Sequence, residues 1–175
     1  MMIERINSDK NPNFFFLTYN KSAWSVNDFL IIPKHFFQPE IIEKRKPLAE
    51  TARRAGWIGC NIDLQRIPEL GRIFLVKSSI IADRKNVLET WSKTVFLREK
   101  SVEAKGWTLD ILKCIDRIKS TDFSLEEVYK FDEELKLKHP ENNFVKDKIR
   151  QQLQILRDMN IVEFVSRGKY RKVTK

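Results

Sequence analysis

Four apolar residues, Val145, Ile149, Leu153 and Leu156, recur at steps of four, four and three, and a basic two-stranded pattern follows them directly. At 3.6 residues per turn that spacing stacks the four on one core-facing stripe of a helix. The opposite side collects Asp147, Arg150, Gln151 and Gln154, flanked by Lys146 and Arg157. Arg, Gln and Asn carry paired polar groups that match base edges in the major groove, so such a face suits a helix that reads DNA. Asn143 stands where an N-cap belongs. Asn143, Arg150, Gln151 and Gln154 are therefore the candidates for base contacts.

The segment after this helix narrows the fold. Ile161 to Val165 and Lys169 to Val173 read as strands around Ser166, Arg167 and Gly168, a turn in which glycine can take positive φ. From Asn142 onward the cations Lys146, Lys148, Arg150, Arg157, Arg167, Lys169, Arg171, Lys172 and Lys175 face only Asp147, Asp158 and Glu163 as anions beyond the helix start. Such a surplus gives salt-dependent affinity for a duplex through counterion release. Lys146, Arg167, Lys169, Arg171 and Lys172 are the candidate phosphate grips. Upstream, Thr108 can cap a helix carrying Leu109, Leu112, Ile115 and Ile118. Ser124 and Glu127 form a capping box, with Phe123 and Val128 spaced as a hydrophobic staple. His139 and Pro140 end that second helical region, read as a charged helix from Leu125 to Leu137. Three helices closed by a basic ribbon make a winged helix. A helical bundle with a solvated polar face would also explain Lys-rich helices, but not the charged hairpin.

Composition supports a folded chain with a polyanionic partner. Its 175 residues are 42% hydrophobic and carry a formal net charge of +9, with 33% charged residues that would be costly in lipid. The longest apolar runs, Phe14 to Leu17 and Phe29 to Ile32, are too short to span a bilayer, and no signal peptide is visible, so no membrane partner and a cytoplasmic location are expected. Cys60 and Cys114 stand alone, and His35 and His139 have no nearby thiols, so no metal site is expected; both cysteines read as small core residues.

The first hundred residues follow a different pattern. Asn13 to Tyr19, Phe29 to Ile32, Trp57 to Leu64 and Arg72 to Lys77 are short Phe-, Ile- and Val-rich runs separated by Pro, Asn, Asp and Gly, and read as strands. Between the second and third lies Glu43 to Arg54, where Lys44, Arg45, Lys46, Arg53 and Arg54 outnumber Glu43 and Glu50. A basic loop beside Trp57 fits a nucleic-acid edge, and equally a solvated loop with a core tryptophan. The apolar pattern lapses from Glu99 to Gly106. The expected organisation is thus an α/β part at 1–100, a linker at 101–106 and a winged helix at 107–175, α+β overall.

Longer stretches carry a resemblance. Asn11 to Tyr19 (NPNFFFLTY), Arg45 to Ala49 (RKPLA), Thr51 to Leu64 (TARRAGWIGCNIDL), Gly71 to Val76 (GRIFLV), Lys148 to Asp158 (KIRQQLQILRD) and Arg167 to Lys172 (RGKYRK) resemble the Dam-replacing family of DpnI-like, methyl-directed restriction endonucleases. That resemblance implies a nuclease domain of the PD-(D/E)XK type followed by a winged helix, both contacting double-stranded DNA with N6-methyladenine in GATC. It also implies Mg²⁺-dependent cleavage of such DNA. The family places its metal-binding Asp, its Glu-x-Lys and a cysteine cluster upstream of the point corresponding to Met1, so the nuclease part is expected to be truncated, with no catalytic or metal residue and no cofactor in this chain. Glu134-Leu135-Lys136 and Glu103-Ala104-Lys105 have the right letters. Carboxylate and amine must point to one side of the backbone, as i and i+2 do on a strand. On a helix they diverge by about 200°. Glu134 falls in the charged helix and Glu103 in the linker, so the polypeptide alone is expected not to cleave.

Recognition is what remains. N6-methyladenine differs from adenine by one methyl in place of one N6 hydrogen, so its reader needs an Asn or Gln for the base and an apolar wall for the methyl. Trp57 is the candidate wall, with Arg53 and Arg54 on phosphates. Alternatives are an active endonuclease completed by upstream strands and a stand-alone winged-helix regulator. Oligomeric state is not set by the sequence, with a monomer favoured.

Overall fold

The computed structural model describes residues 2–6, 8 and 11–173; Lys175, one of the cations counted above, lies outside them. The chain forms two compact units, dividing between Ile81 and Ala82, in the mixed α+β class expected.

The first unit opens with a short helix, α1 (Met2–Ile6), and is dominated by antiparallel strands. β1 (Phe14–Asn20), β2 (Ser25–Ile32), β5 (Ile73–Lys77) and β6 (Ile80–Ile81) make one sheet in the order β1-β2-β5-β6, and β3 (Ile42–Lys44) pairs with β4 (Cys60–Ile62) in a separate ribbon. β1 and β2 pair from Phe14↔Ile32 to Asn20↔Ser25, with a bulge between Thr18 and Tyr19. At their turn the Asn20 side-chain oxygen accepts from the backbone N–H groups of Ser22 and Ala23, the local bond that lets Asn stop a strand. Leu30, Ile32, Phe36, Ile41, Ile67 and Ile73 are buried together in this unit. Gly71 is needed there, since a Cβ on it would stand 2.5 Å from the Phe36 ring. β1 is a sheet edge and leaves Phe15, Leu17 and Tyr19 exposed on alternate positions of one face.

Two strand expectations hold closely, Asn13 to Tyr19 and Arg72 to Lys77, and Phe29 to Ile32 is the end of a longer strand. The third does not: of Trp57 to Leu64 only Cys60–Ile62 is strand. Gly56 (φ 76°) and Gly59 flank Trp57 and spoil the alternation that a strand requires.

The second unit contains α2 (Arg84–Ser92), α3 (Val102–Arg117), β7 (Asp122–Ser124), α4 (Leu125–Tyr129), α5 (Asp132–Lys138), α6 (Val145–Asp158), β8 (Val162–Ser166) and β9 (Lys169–Lys172). α2 was not anticipated; its Asp83 cap accepts from the Asn86 N–H at 3.1 Å. α3 begins six residues before the expected cap at Thr108. Ser101 caps it instead, accepting from the Ala104 N–H at 3.2 Å, so residues 102–106 of the expected linker are helical. Thr108 is fully buried in mid-helix. The Ser124–Glu127 capping box forms as expected, each side chain bonding the other's backbone N–H, with Phe123 and Val128 both buried. The expected single helix from Leu125 to Leu137 breaks after Tyr129, because Phe131 leaves helical geometry (ψ 6°) and starts α5.

Val145, Ile149, Leu153 and Leu156 are all buried on α6, against a core that includes Trp107, Leu109, Ile111, Leu112, Ile115, Val128 and Leu135. Fully burying aliphatic side chains contributes about 1.5–3 kcal/mol each, which fixes the face that α6 turns outward. The hairpin expected from Ile161 to Val173 is β8–β9, but the sheet has a third strand, in the order β7-β9-β8. β7 pairs Asp122↔Arg171, Phe123↔Tyr170 and Ser124↔Lys169. Gly168 (φ 70°) makes the turn. Among the described residues no helix is long and apolar enough to cross a membrane.

Candidate nucleic-acid interface

The outward face of α6 carries exposed Lys146, Asp147, Arg150, Gln151, Gln154 and Arg157. Gln151 and Gln154 project from it with no hydrogen bond to another described residue, leaving both amides available as paired donor and acceptor. Arg150 is held from two sides. Its Nη1 donates to the Tyr129 hydroxyl at 2.9 Å, and its Nη2 donates to Asp147 one turn back. The bond to the phenol oxygen raises the Arg150 guanidinium above its ordinary value. Lys146 sits 5.3 Å over the Tyr129 ring and 3.8 Å from Asp132.

Asn143 does not cap α6. The cap position is Phe144, and the Asn142 carboxamide accepts from its N–H at 2.8 Å, while Asn143 Oδ1 accepts from Lys136 Nζ at 3.0 Å. With two adjacent asparagines, sequence alone does not select which one turns inward. Asn143 is exposed at the start of the helix.

Gln152, between the two exposed glutamines, is buried: its side-chain oxygen lies 2.7 Å from the Thr108 hydroxyl, tying α6 to α3. The i, i+3, i+4 pattern could have placed it beside the apolar stripe, since Gln152 is seven residues from Val145.

The wing's cations divide into two sets. Arg167 and Lys169 are exposed at the turn, and their side chains make no hydrogen bond or ion pair among the described residues. Arg171 instead donates through Nε (2.6 Å) and Nη2 (3.0 Å) to Asp122 on β7, and this holds the Asp122 carboxyl below its ordinary value. Lys172 is half-buried and donates to the Ile118 carbonyl. Both were expected on phosphate; both are engaged in joining the wing to the rest of the unit.

In the first unit the β3–β4 ribbon continues into a hydrogen-bonded tip. Arg45 N–H donates to Gly59 O (3.0 Å), Leu48 to Trp57 O (2.9 Å) and Gly56 to Leu48 O (3.2 Å). Arg45, Lys46, Arg53 and Arg54 are exposed on it, so four cations share this tip with Trp57. The indole is 54% exposed and lies across Gly59, where a Cβ would come within 2.9 Å of the ring. Trp57 is thus a surface aromatic supported from below, not a core residue.

The Glu-x-Lys letters do not make a metal site. Glu134 and Lys136 are on α5, Glu103 and Lys105 on α3. Glu134 accepts from Arg117 at 2.5 Å and that contact holds its carboxyl below the ordinary range, while Lys136 donates to the Asn142 carbonyl at 2.7 Å. No group of three or more His, Cys, Asp or Glu side chains converges among the described residues. These donors do not fit a Mg²⁺ ion and its attacking water.

Two sequence matches coincide with this geometry. Residues 1–100 match the Dam-replacing family (DpnI), and residues 103–172 match the Dam-replacing HTH domain, the helix-turn-helix module of α3 to β9 described above. The chain therefore belongs to the Dam-replacing family and ends in that family's DNA-binding helix-turn-helix domain.

Proposed function

We propose that this chain binds DNA containing N6-methyladenine within GATC and acts as the recognition portion of a DpnI-like restriction endonuclease. The observation that carries the reading is Trp57, an exposed, glycine-backed indole on a tip that also bears four exposed cations, in a chain of the Dam-replacing family. A flat apolar surface gains contact from the added methyl, while the cations of the tip hold the backbone without reading sequence. In the helix-turn-helix domain, Gln151, Gln154 and Arg150 face bases from α6, with Asn143 at its start. Arg53, Arg54, Lys146, Arg167 and Lys169 meet phosphates. Arg171 and Lys172 shape the wing that presents Arg167 and Lys169.

The division of labour is tested by fluorescence anisotropy at fixed salt on methylated and unmethylated GATC duplexes. Trp57→Ala and Gln154→Ala are expected to shrink the ratio of the two affinities, and Lys169→Ala to weaken both equally. Equal losses from all three contradict the assignment. Because the Glu-x-Lys pairs sit on helices, the purified 175-residue chain with Mg²⁺ is expected to leave Dam-methylated plasmid uncut.

A further inference from the structure

The exposed face of α6 carries a polar unit with an arrangement of its own. Asp147 and Arg150 lie one turn apart, with side chains 61% and 51% exposed, and are bonded to each other. Both are in the first two turns of the helix, the part of a reading helix that reaches base edges. Gln154 lies four residues beyond Arg150, about 6 Å further along the axis. Tyr129, at the end of α4, is half-buried, and its hydroxyl accepts from Arg150 Nη1 at 2.9 Å.

Hydrogen-bond inventory shows what this unit can meet. A guanidinium has five N–H donors in a planar fork. Tyr129 and Asp147 take one each, from different terminal nitrogens, so three remain and a bidentate contact needs only two. Asp147 keeps acceptor capacity on its carboxylate. In the major groove guanine shows two acceptors, N7 and O6, and its paired cytosine shows one donor, the N4 amine. Two donors beside one acceptor is the complement of a single G·C pair. Against phosphate, by contrast, the Asp147 charge is repulsive, so the pair disfavours non-specific backbone contact.

We propose that Asp147 and Arg150 together read one G·C pair of the site, Arg150 on guanine and Asp147 on cytosine, with Tyr129 as the positioning residue that holds the guanidinium in plane. The inference rests on the GATC reading above, whose outer pairs are G·C. Tyr129 acts through Arg150 and touches no base.

The experiment uses the full chain and methylated GATC duplexes in which both guanines are replaced by 7-deazaguanine, which lacks the N7 acceptor, or both cytosines by N4-methylcytosine, which loses an N4 hydrogen. For the wild type each replacement is expected to weaken binding about tenfold. Arg150→Ala should become insensitive to 7-deazaguanine and Asp147→Ala to N4-methylcytosine. Asp147→Ala should also bind a duplex without GATC more tightly. Tyr129→Phe keeps the ring and should lose part of the 7-deazaguanine effect while its salt slope stays unchanged, a combination that a merely structural role does not produce. Arg150→Ala retaining full sensitivity to 7-deazaguanine overturns the inference and leaves the GATC reading intact. No preference for GATC by the wild type overturns both.

Discussion

The Thr108 hydroxyl lies 2.7 Å from the Gln152 side-chain amide, a buried polar contact between α3 and α6. The same hydroxyl is 2.9 Å from the Ala104 carbonyl, so α3 and α6 are locked through one oxygen. Thr108→Val leaves the Gln152 amide buried without this partner, which is expected to cost about 1–3 kcal/mol in a urea melt. The double variant Thr108→Val/Gln152→Leu removes both polar groups and should regain much of the loss. A single variant as stable as the wild type would show that the contact does not order α6.

The wing's cations should separate by salt dependence. Arg167→Ala and Lys169→Ala are each expected to reduce the slope of log affinity against log salt by about one. Arg171→Ala, which releases Asp122, and Lys172→Ala, which frees the Ile118 carbonyl, should change the slope less and lower the melting temperature more. A slope loss from Arg171→Ala equal to that from Lys169→Ala would return Arg171 to the phosphate set.

Acid should loosen this domain through three carboxyls. Asp122 is held below its ordinary value by Arg171, Glu127 by the Ser124 backbone N–H and Glu134 by Arg117. A group whose native value is depressed adds stability above its unfolded value and loses it as pH falls through the native one. Melting temperature should therefore decline as pH drops below about 4, the ordinary carboxylate region. Asp122→Asn should fall less steeply there than the wild type, and an equal decline in the two would deny Asp122 a part.

The two cysteines should differ in reactivity. Burial pushes the Cys114 thiol up to about 12, whereas Cys60 is exposed on β4. Only the thiolate is nucleophilic, so at pH 8 a disulfide reagent should label Cys60 in the native protein and Cys114 only after denaturation. Cys60→Ala that still reacts at once in the native state would contradict the buried position of Cys114.

What the sequence made legible was mostly what periodicity and capping encode. The α6 stripe, the Ser124–Glu127 box, the hairpin turn at Gly168 and the strand β1 all follow patterns a few residues long, which spacing records. β7 was missed because three residues are too few to show an alternation, and its place is set by pairing with Tyr170 nearly fifty positions away. The same distance hid the Asp122–Arg171 bond, which ties an expected phosphate grip to the neighbouring strand. Thr108 looked like a cap because Thr favours that position, yet a buried acceptor on another helix claimed its hydroxyl. At Trp57 the composition left surface and core open, and Gly59 beneath the ring together with half-exposure decides for the surface.

The central claim is methyl-dependent binding, and one titration addresses it most directly. A fluorescently labelled duplex with a single GATC, either methylated at N6 of both adenines or unmethylated, is titrated with the full chain at one salt concentration near 0.15 M, where screening of exposed charges is moderate. The account predicts tighter binding of the methylated duplex by about tenfold or more, the scale on which one well-read base feature discriminates. Equal affinity for the two duplexes would contradict it.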